Sequence, residues 1–154
     1  MGVRHEYFVL DNDEQGAALV DSISEDFGTA PLGVEANTEL VSLEALLMGR
    51  STEWPAIKEL MDRPDHPVDV ADDGAQNPSG SACIVVSRIA DSTAALIANA
   101  SSEQIAAAMG PWSQTEEFAG YVSAADLTEM MESLLPVFRR AVAEGRHVYV
   151  RTSV

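Results

Sequence analysis

Hydrophobic positions along this chain recur with two different periods, and the changes of period mark its elements. The stretch VRHEYFVL, residues 3–10, is rich in β-branched and aromatic residues and predicts a first strand. DNDEQGAALVDSISEDFG follows with helical signals: Asp11 or Asn12 as cap, acids in the first turn, and Gly28 beyond the end. Residues 29–40 read as extended or irregular. Ser42 is placed to cap a short helix, LEALLMG, stopped by Gly49. STEWPAIKELMDRP repeats that form, with Ser51 or Thr52 as cap, Pro55 in the first turn and Pro64 as the stop. From 64 to 82 the periodicity lapses into Pro, Gly, Asp and Ser. This predicts a long acidic loop, a mobile functional segment or a spacer.

The second half is more regular. CIVVSRI is the clearest strand. Its unbroken apolar run at Ile84, Val85 and Val86 places it in the middle of a sheet, covered on both faces. ADSTAALIANASSEQIAAAMG predicts two short helices, the second opened by a Ser101/Gln104 capping box, and PWSQTEEFAGYV a connection. The longest helix follows, with Ser123 and Asp126 at its start and Gly145 at its end. Leu127, Met130, Met131, Leu134, Phe138 and Val142 form its apolar stripe, and Pro136 is expected to bend it. RHVYVRTSV closes as a strand with Val148 and Val150 on one face and His147, Tyr149 and Arg151 on the other. Together these elements predict an α+β (or α/β) fold. A single domain over 1–154 has a small mixed sheet built from the first, the Cys83 and the last strands, with helices packed on it.

Charge changes what such a domain can meet. Twenty-five acids face nine bases, the formal net charge is -16, and Lys58 is the only lysine. A field of that sign repels nucleic acid and anionic lipid and favours a basic partner. No apolar run approaches the roughly 20 residues of a membrane helix, and the N-terminal stretch has no secretory core. One cysteine, Cys83, excludes an internal disulfide, which fits a reducing cytoplasm. The preference for Arg over Lys, with abundant Ala and Gly, suggests a bacterial, GC-rich source.

Motifs of defined chemistry fail on their spacing. DNDEQG opens like a calcium loop, but its twelfth position is Ser22 where a bidentate Glu is required. His5, His66 and His147 have no metal-ligand spacing, although His5 and His147 would meet if the first and last strands paired suitably. Cys83, at the head of an apolar strand, reads as buried packing rather than as a nucleophile. No catalytic residue, metal site or cofactor is expected.

The order of the C-terminal half, CIVVSRI into STAALIANASSEQIAAAM and then LTEMMESLLPVFRRAVAEGRHVYV, resembles the YfbM-like family of small uncharacterised bacterial proteins. LVSLEALLMGRSTEW is compatible with it, and the acidic insert at 64–82 departs from it. The resemblance implies a compact α+β domain, no established activity, and no catalytic residue to carry over.

Three functional readings follow. The first is a non-catalytic cytoplasmic interaction protein, of the inhibitor or immunity kind, whose acids at Asp65, Asp69, Asp72 and Asp73 mask a basic partner. The second is a small-anion-binding domain or enzyme. Its pocket would lie near Trp54, Trp112 and Tyr121, served by the C-terminal Arg139, Arg140, Arg146 and Arg151. The third is a structural protein, monomer or homodimer, whose charge serves solubility.

Overall fold

A computed structural model describes residues 3–21, 35, 38–66, 68–73 and 83–153. Gly28 as a helix stop, the irregular stretch before Glu35, and 74–82 of the expected loop lie outside the described residues. The element order is β1 (Arg4–Leu10), α1 (Asp13–Ala18), α2 (Glu39–Leu47), α3 (Trp54–Met61), β2 (Val68–Asp72), β3 (Ile84–Arg88), α4 (Asp91–Asn99), α5 (Ser102–Ser113), α6 (Ala124–Glu144) and β4 (His147–Ser153).

The four strands form one sheet in the order β1-β4-β3-β2. Every pairing is antiparallel, so the sheet is not mixed. Strand β2 corrects the reading of 64–82 as loop throughout. VDVAD is short, carries two acids and is broken by a register shift between Asp69 and Ala71, so no clean alternation survives for the eye. It works as an edge strand because Ala71 and Val70 still reach the apolar face. The inference that β3 is interior holds, but its cover does not extend to Cys83, which is exposed at the strand's mouth.

The pleat divides the side chains as its period of two requires. Tyr7, Val148 and Val150 face a helical layer formed by α2, α4, α5 and α6. Phe8, Val86 and Tyr149 face the other way, onto Leu19 just past α1. Helix α1 lies so close to the sheet that a Cβ at Gly16 would sit 2.6 Å from the Tyr149 ring. Asn12 caps this helix, accepting from the Gln15 N–H at 2.9 Å.

Helix α6 buries Leu127, Met131, Leu134, Phe138 and Ala141, alternating steps of four and three that keep one face on the sheet. Each large apolar side chain so buried contributes roughly 1.5–3 kcal/mol. Val142, expected in the stripe, is exposed, and Met130 is only partly buried. Both capping boxes are formed, at Ser101/Gln104 and Ser123/Asp126, and Gly145 ends α6 with φ 64°. Several helices start or end away from the expected places: α1 ends at Ala18, and Glu53 rather than Ser51 or Thr52 stands at the N-cap of α3. Helix α2 begins at Glu39, which puts Ser42 inside it, buried, rather than at its cap. Helix α5 runs on through Pro111 to Ser113, into what reads as a connection.

Candidate functional site

The region with the most concentrated polar chemistry lies at the start of α2. Glu35 accepts from the Thr38 N–H at 3.0 Å and from its hydroxyl at 2.8 Å, fixing the first turn of the helix from outside. Glu39 reaches back and accepts from the Glu35 N–H. Glu35 thereby satisfies the N–H of the N-cap residue, and Glu39 ties the preceding segment to the first turn. One turn on, the Ser42 hydroxyl donates to Glu117 Oε1 at 3.0 Å. Thr38 and Glu39 stand four and three residues before Ser42, so each lies near it on the surface of α2.

Glu117 is brought there by the end of α5. Trp112 is fully buried, and its indole N–H donates to the Glu39 carbonyl at 2.9 Å, tying α5 to α2. Phe118 packs edge-on against the Trp112 ring with centroids 5.3 Å apart. The Thr115 hydroxyl donates to the Trp112 carbonyl at 2.8 Å and holds the turn between them. Glu116 and Glu117 are carried on that turn. With Thr38 and Trp54 they line an open cleft of about 520 Å³. Trp54, at the first position of α3, is 55% exposed, so an aromatic face stands beside two carboxylates. Glu117 Oε2 is enclosed and has no hydrogen-bond partner among the described residues.

Electrostatics follow from the crowding. Burial, with the nearby charges of Glu35 and Glu117, raises the Glu39 carboxyl to about 7; the hydrogen bond from Glu35 opposes this without reversing it. A helix N-terminus favours a carboxylate by about 0.3–1 kcal/mol, too little to offset desolvation and two like charges. Beneath the cluster, burial and the charges of Glu39 and Glu35 raise the Tyr7 hydroxyl well above its ordinary value. Burial lowers His5, against the pull of Glu35. Its Nδ1 lies 3.0 Å from the Thr152 hydroxyl.

The residues singled out from sequence do not converge on this cleft; of them only Trp54 is a lining residue. Arg139 donates to the Ala98 and Ala100 carbonyls at 3.3 Å, closing the C-terminal end of α4. Arg140 pairs with Glu144, and Arg146 with both Asp11 and Glu144. Arg151 pairs with buried Glu6 at 2.9 Å and donates to the Leu19 carbonyl. These arginines hold the fold's own acids and carbonyls, and none lines the Trp54 cleft. Trp112 is core, while Tyr121 is 90% exposed and is not among the residues lining the cleft. A shared anion pocket of Trp54, Trp112, Tyr121 and the arginines is therefore not what the chain forms.

The acids assigned to a partner are likewise spread along β2 and its approach. Asp65 accepts from Ser92 at 2.9 Å, Asp69 from Ser87 at 2.6 Å, and Asp73 from the Ile84 N–H at 2.6 Å. Asp72 lies 3.8 Å from the Cys83 sulfur. Asp72, Asp73 and Cys83 place one ligand-type atom each within 4.8 Å of one another, with Asp72 and Cys83 exposed and Asp73 half-buried. Strands β1 and β4 do pair, but His5 faces Thr152 while His147 faces Leu10, at the opposite end of the ladder. His147 meets Asp91 at 2.7 Å instead.

No protein-family model matches the chain, and no curated protein or solved structure is significantly similar to it. Among the described residues, no helix is long and apolar enough to cross a membrane.

Proposed function

We propose that this protein is a non-catalytic cytoplasmic binding protein whose acid-walled cleft receives a basic side chain of a partner protein. The observation that carries this reading is Glu117 Oε2, a carboxylate oxygen enclosed in a cleft with an exposed indole and lacking a donor among the described residues. Leaving such an atom unsatisfied costs about 1–3 kcal/mol, and more when it is charged. A guanidinium would supply the missing N–H while lying against Trp54, an arrangement that adds roughly 0.5–2 kcal/mol of cation–π attraction. The net charge of -16 supports the same sign of partner by steering it inward. In this reading Asp65, Asp69, Asp72 and Asp73 contribute to the field and not to the contact.

The test uses the two tryptophans. Trp112 is sealed in the core and Trp54 is exposed, so an added cation perturbs one emitter and leaves the other as background. An acetylated, amidated diarginine peptide should change the fluorescence saturably. The affinity should fall as salt is raised from low to several hundred millimolar, and about tenfold or more in Glu117→Gln. A fluorescence signal indifferent to the peptide, or equal binding by Glu117→Gln, overturns the assignment of the cleft. A pull-down with low- and high-salt washes, run in parallel with Glu117→Gln, extends the comparison to the natural partner.

A further inference from the structure

Ser42 is an unusual residue to find behind the cleft. It sits inside α2, fully buried, with its hydroxyl 3.0 Å from Glu117 Oε1 across 75 residues of chain. A buried hydroxyl that donates to a carboxylate fixes how that carboxylate is turned. Oε1 is thereby engaged, and Oε2 is the oxygen left for a ligand. The neighbouring Glu116 lines the same cleft, is exposed, and among the described residues has no hydrogen-bond or ion-pair partner. Thr38, which also lines it, donates its hydroxyl to Glu35 at 2.8 Å, so its remaining capacity is that of an acceptor. The lining therefore combines oxygen acceptors from three residues with one exposed indole.

We propose that Ser42 and Glu116 make this cleft selective for arginine over lysine: Ser42 presents Glu117 by a single free oxygen, and Glu116 accepts from the second arm of a guanidinium. This rests on the binding reading above and names the side chain that the cleft takes. With Oε1 already accepting from Ser42, Glu117 offers one oxygen in place of the usual pair. A lysine ammonium can satisfy that oxygen, but it is a compact, strongly hydrated charge that loses much of its water on entry. A guanidinium is more weakly hydrated and carries five N–H groups in one plane. It can donate to Oε2 with one arm and to Glu116 with another while lying flat on the Trp54 ring. Glu116 and Glu117 are consecutive on the turn braced by the Thr115 hydroxyl, so the backbone sets the spacing of the two acceptors. Ser42 touches no ligand in this arrangement. It is a positioning residue that acts through Glu117, and Glu116 is the residue that discriminates.

A pair of peptides removes the overall field from the measurement. Acetylated, amidated diarginine and dilysine carry the same charge at neutral pH, so the net charge of -16 attracts both alike and cancels from the ratio of their affinities. Followed by Trp54 fluorescence, the wild-type chain should bind diarginine about tenfold more tightly, the effect of one further hydrogen bond between charged groups. Glu116→Ala removes the second acceptor at an exposed position, and the ratio should fall below about threefold, chiefly through weaker diarginine binding. Ser42→Ala should lower the ratio in the same way, because a freed carboxylate turns to meet either cation. A variant in which both peptides weaken equally and the ratio is kept shows damage to packing alone, and overturns the role given to the residue changed. Glu116→Ala decides the selectivity even where Ser42→Ala does not fold. Equal affinity for the two peptides in the wild-type chain, or a preference for dilysine, overturns the selectivity and leaves the binding reading standing. Binding of neither peptide overturns the two together.

Discussion

Replacing Glu39 by Gln should make the folded protein more stable at pH 8 and leave it nearly unchanged at pH 5. Gln keeps an oxygen for the Glu35 N–H, so the hydrogen bond at the head of α2 survives and only the titrating charge is lost. In the wild-type chain folding raises the carboxyl from 4.5 to about 7. The folded state therefore holds a proton that the unfolded state has released across that interval. The stability from this group is complete below 4.5 and is lost as pH climbs through 7. Each unit of displacement corresponds to about 1.4 kcal/mol, so the full interval would amount to roughly 3 kcal/mol. Water still reaches part of the side chain, and screening reduces the expected difference to about 1–2 kcal/mol. For a chain of this size that is roughly 2–8 °C in Tm. Urea denaturation of both proteins at pH 5, 6, 7 and 8 measures it. The two stability curves should separate between pH 4.5 and about 7, with the variant higher, and keep a constant gap above that. Parallel curves, or a variant weakened equally at every pH, would refute the picture of Glu39 as a crowded, proton-holding carboxyl.

Other consequences can be checked with single variants. Gly16→Ala gains about 1 kcal/mol of helix propensity but drives a methyl into the Tyr149 ring, where overpacking costs about 1–3 kcal/mol, so thermal unfolding should show a net loss. Arg151→Met leaves buried Glu6 with only the exposed Arg4 as partner and should cost about 3 kcal/mol in urea titration; adding Glu6→Gln should recover part of it. Desolvation, together with Asp72 and Asp73, holds the Cys83 thiol above its ordinary range. Iodoacetamide should consequently alkylate this exposed thiol slowly at pH 7.5, and Asp72→Asn should speed the reaction.

Local signals were legible in the sequence wherever the physics is local. Ser101 with Gln104, Ser123 with Asp126, and Gly145 define helix ends through bonds spanning three or four residues, and each is formed as read. The α6 stripe was legible for the same reason, except at Val142, which lies one position beyond the buried Ala141 and turns outward. Strand β2 was hidden because a bulged edge strand with two aspartates has neither alternation nor an apolar run. Cys83 was misjudged because a strand's end can outrun the layer that covers its middle. The cleft was least legible. Ser42 and Glu117 are 75 residues apart, and Glu39 meets Trp112 across 73. In a chain with 25 acids, nothing distinguishes Glu39 or Glu117 until the fold crowds them. The faint clue was a tryptophan near acids at both places, STEWP and PWSQTEE.

The strand order also governs how the chain can be made. Strand β4 is the last element in sequence, yet it lies between β1 and β3. Until the ribosome has produced the residues after α6, β1 has no neighbour and β3 has only the short β2. Emerging chain can assemble helices in the meantime, but the sheet they pack on closes only when its middle arrives. Two apolar strand edges stay open during that interval, a hazard that an intensely negative nascent chain reduces through mutual repulsion between copies.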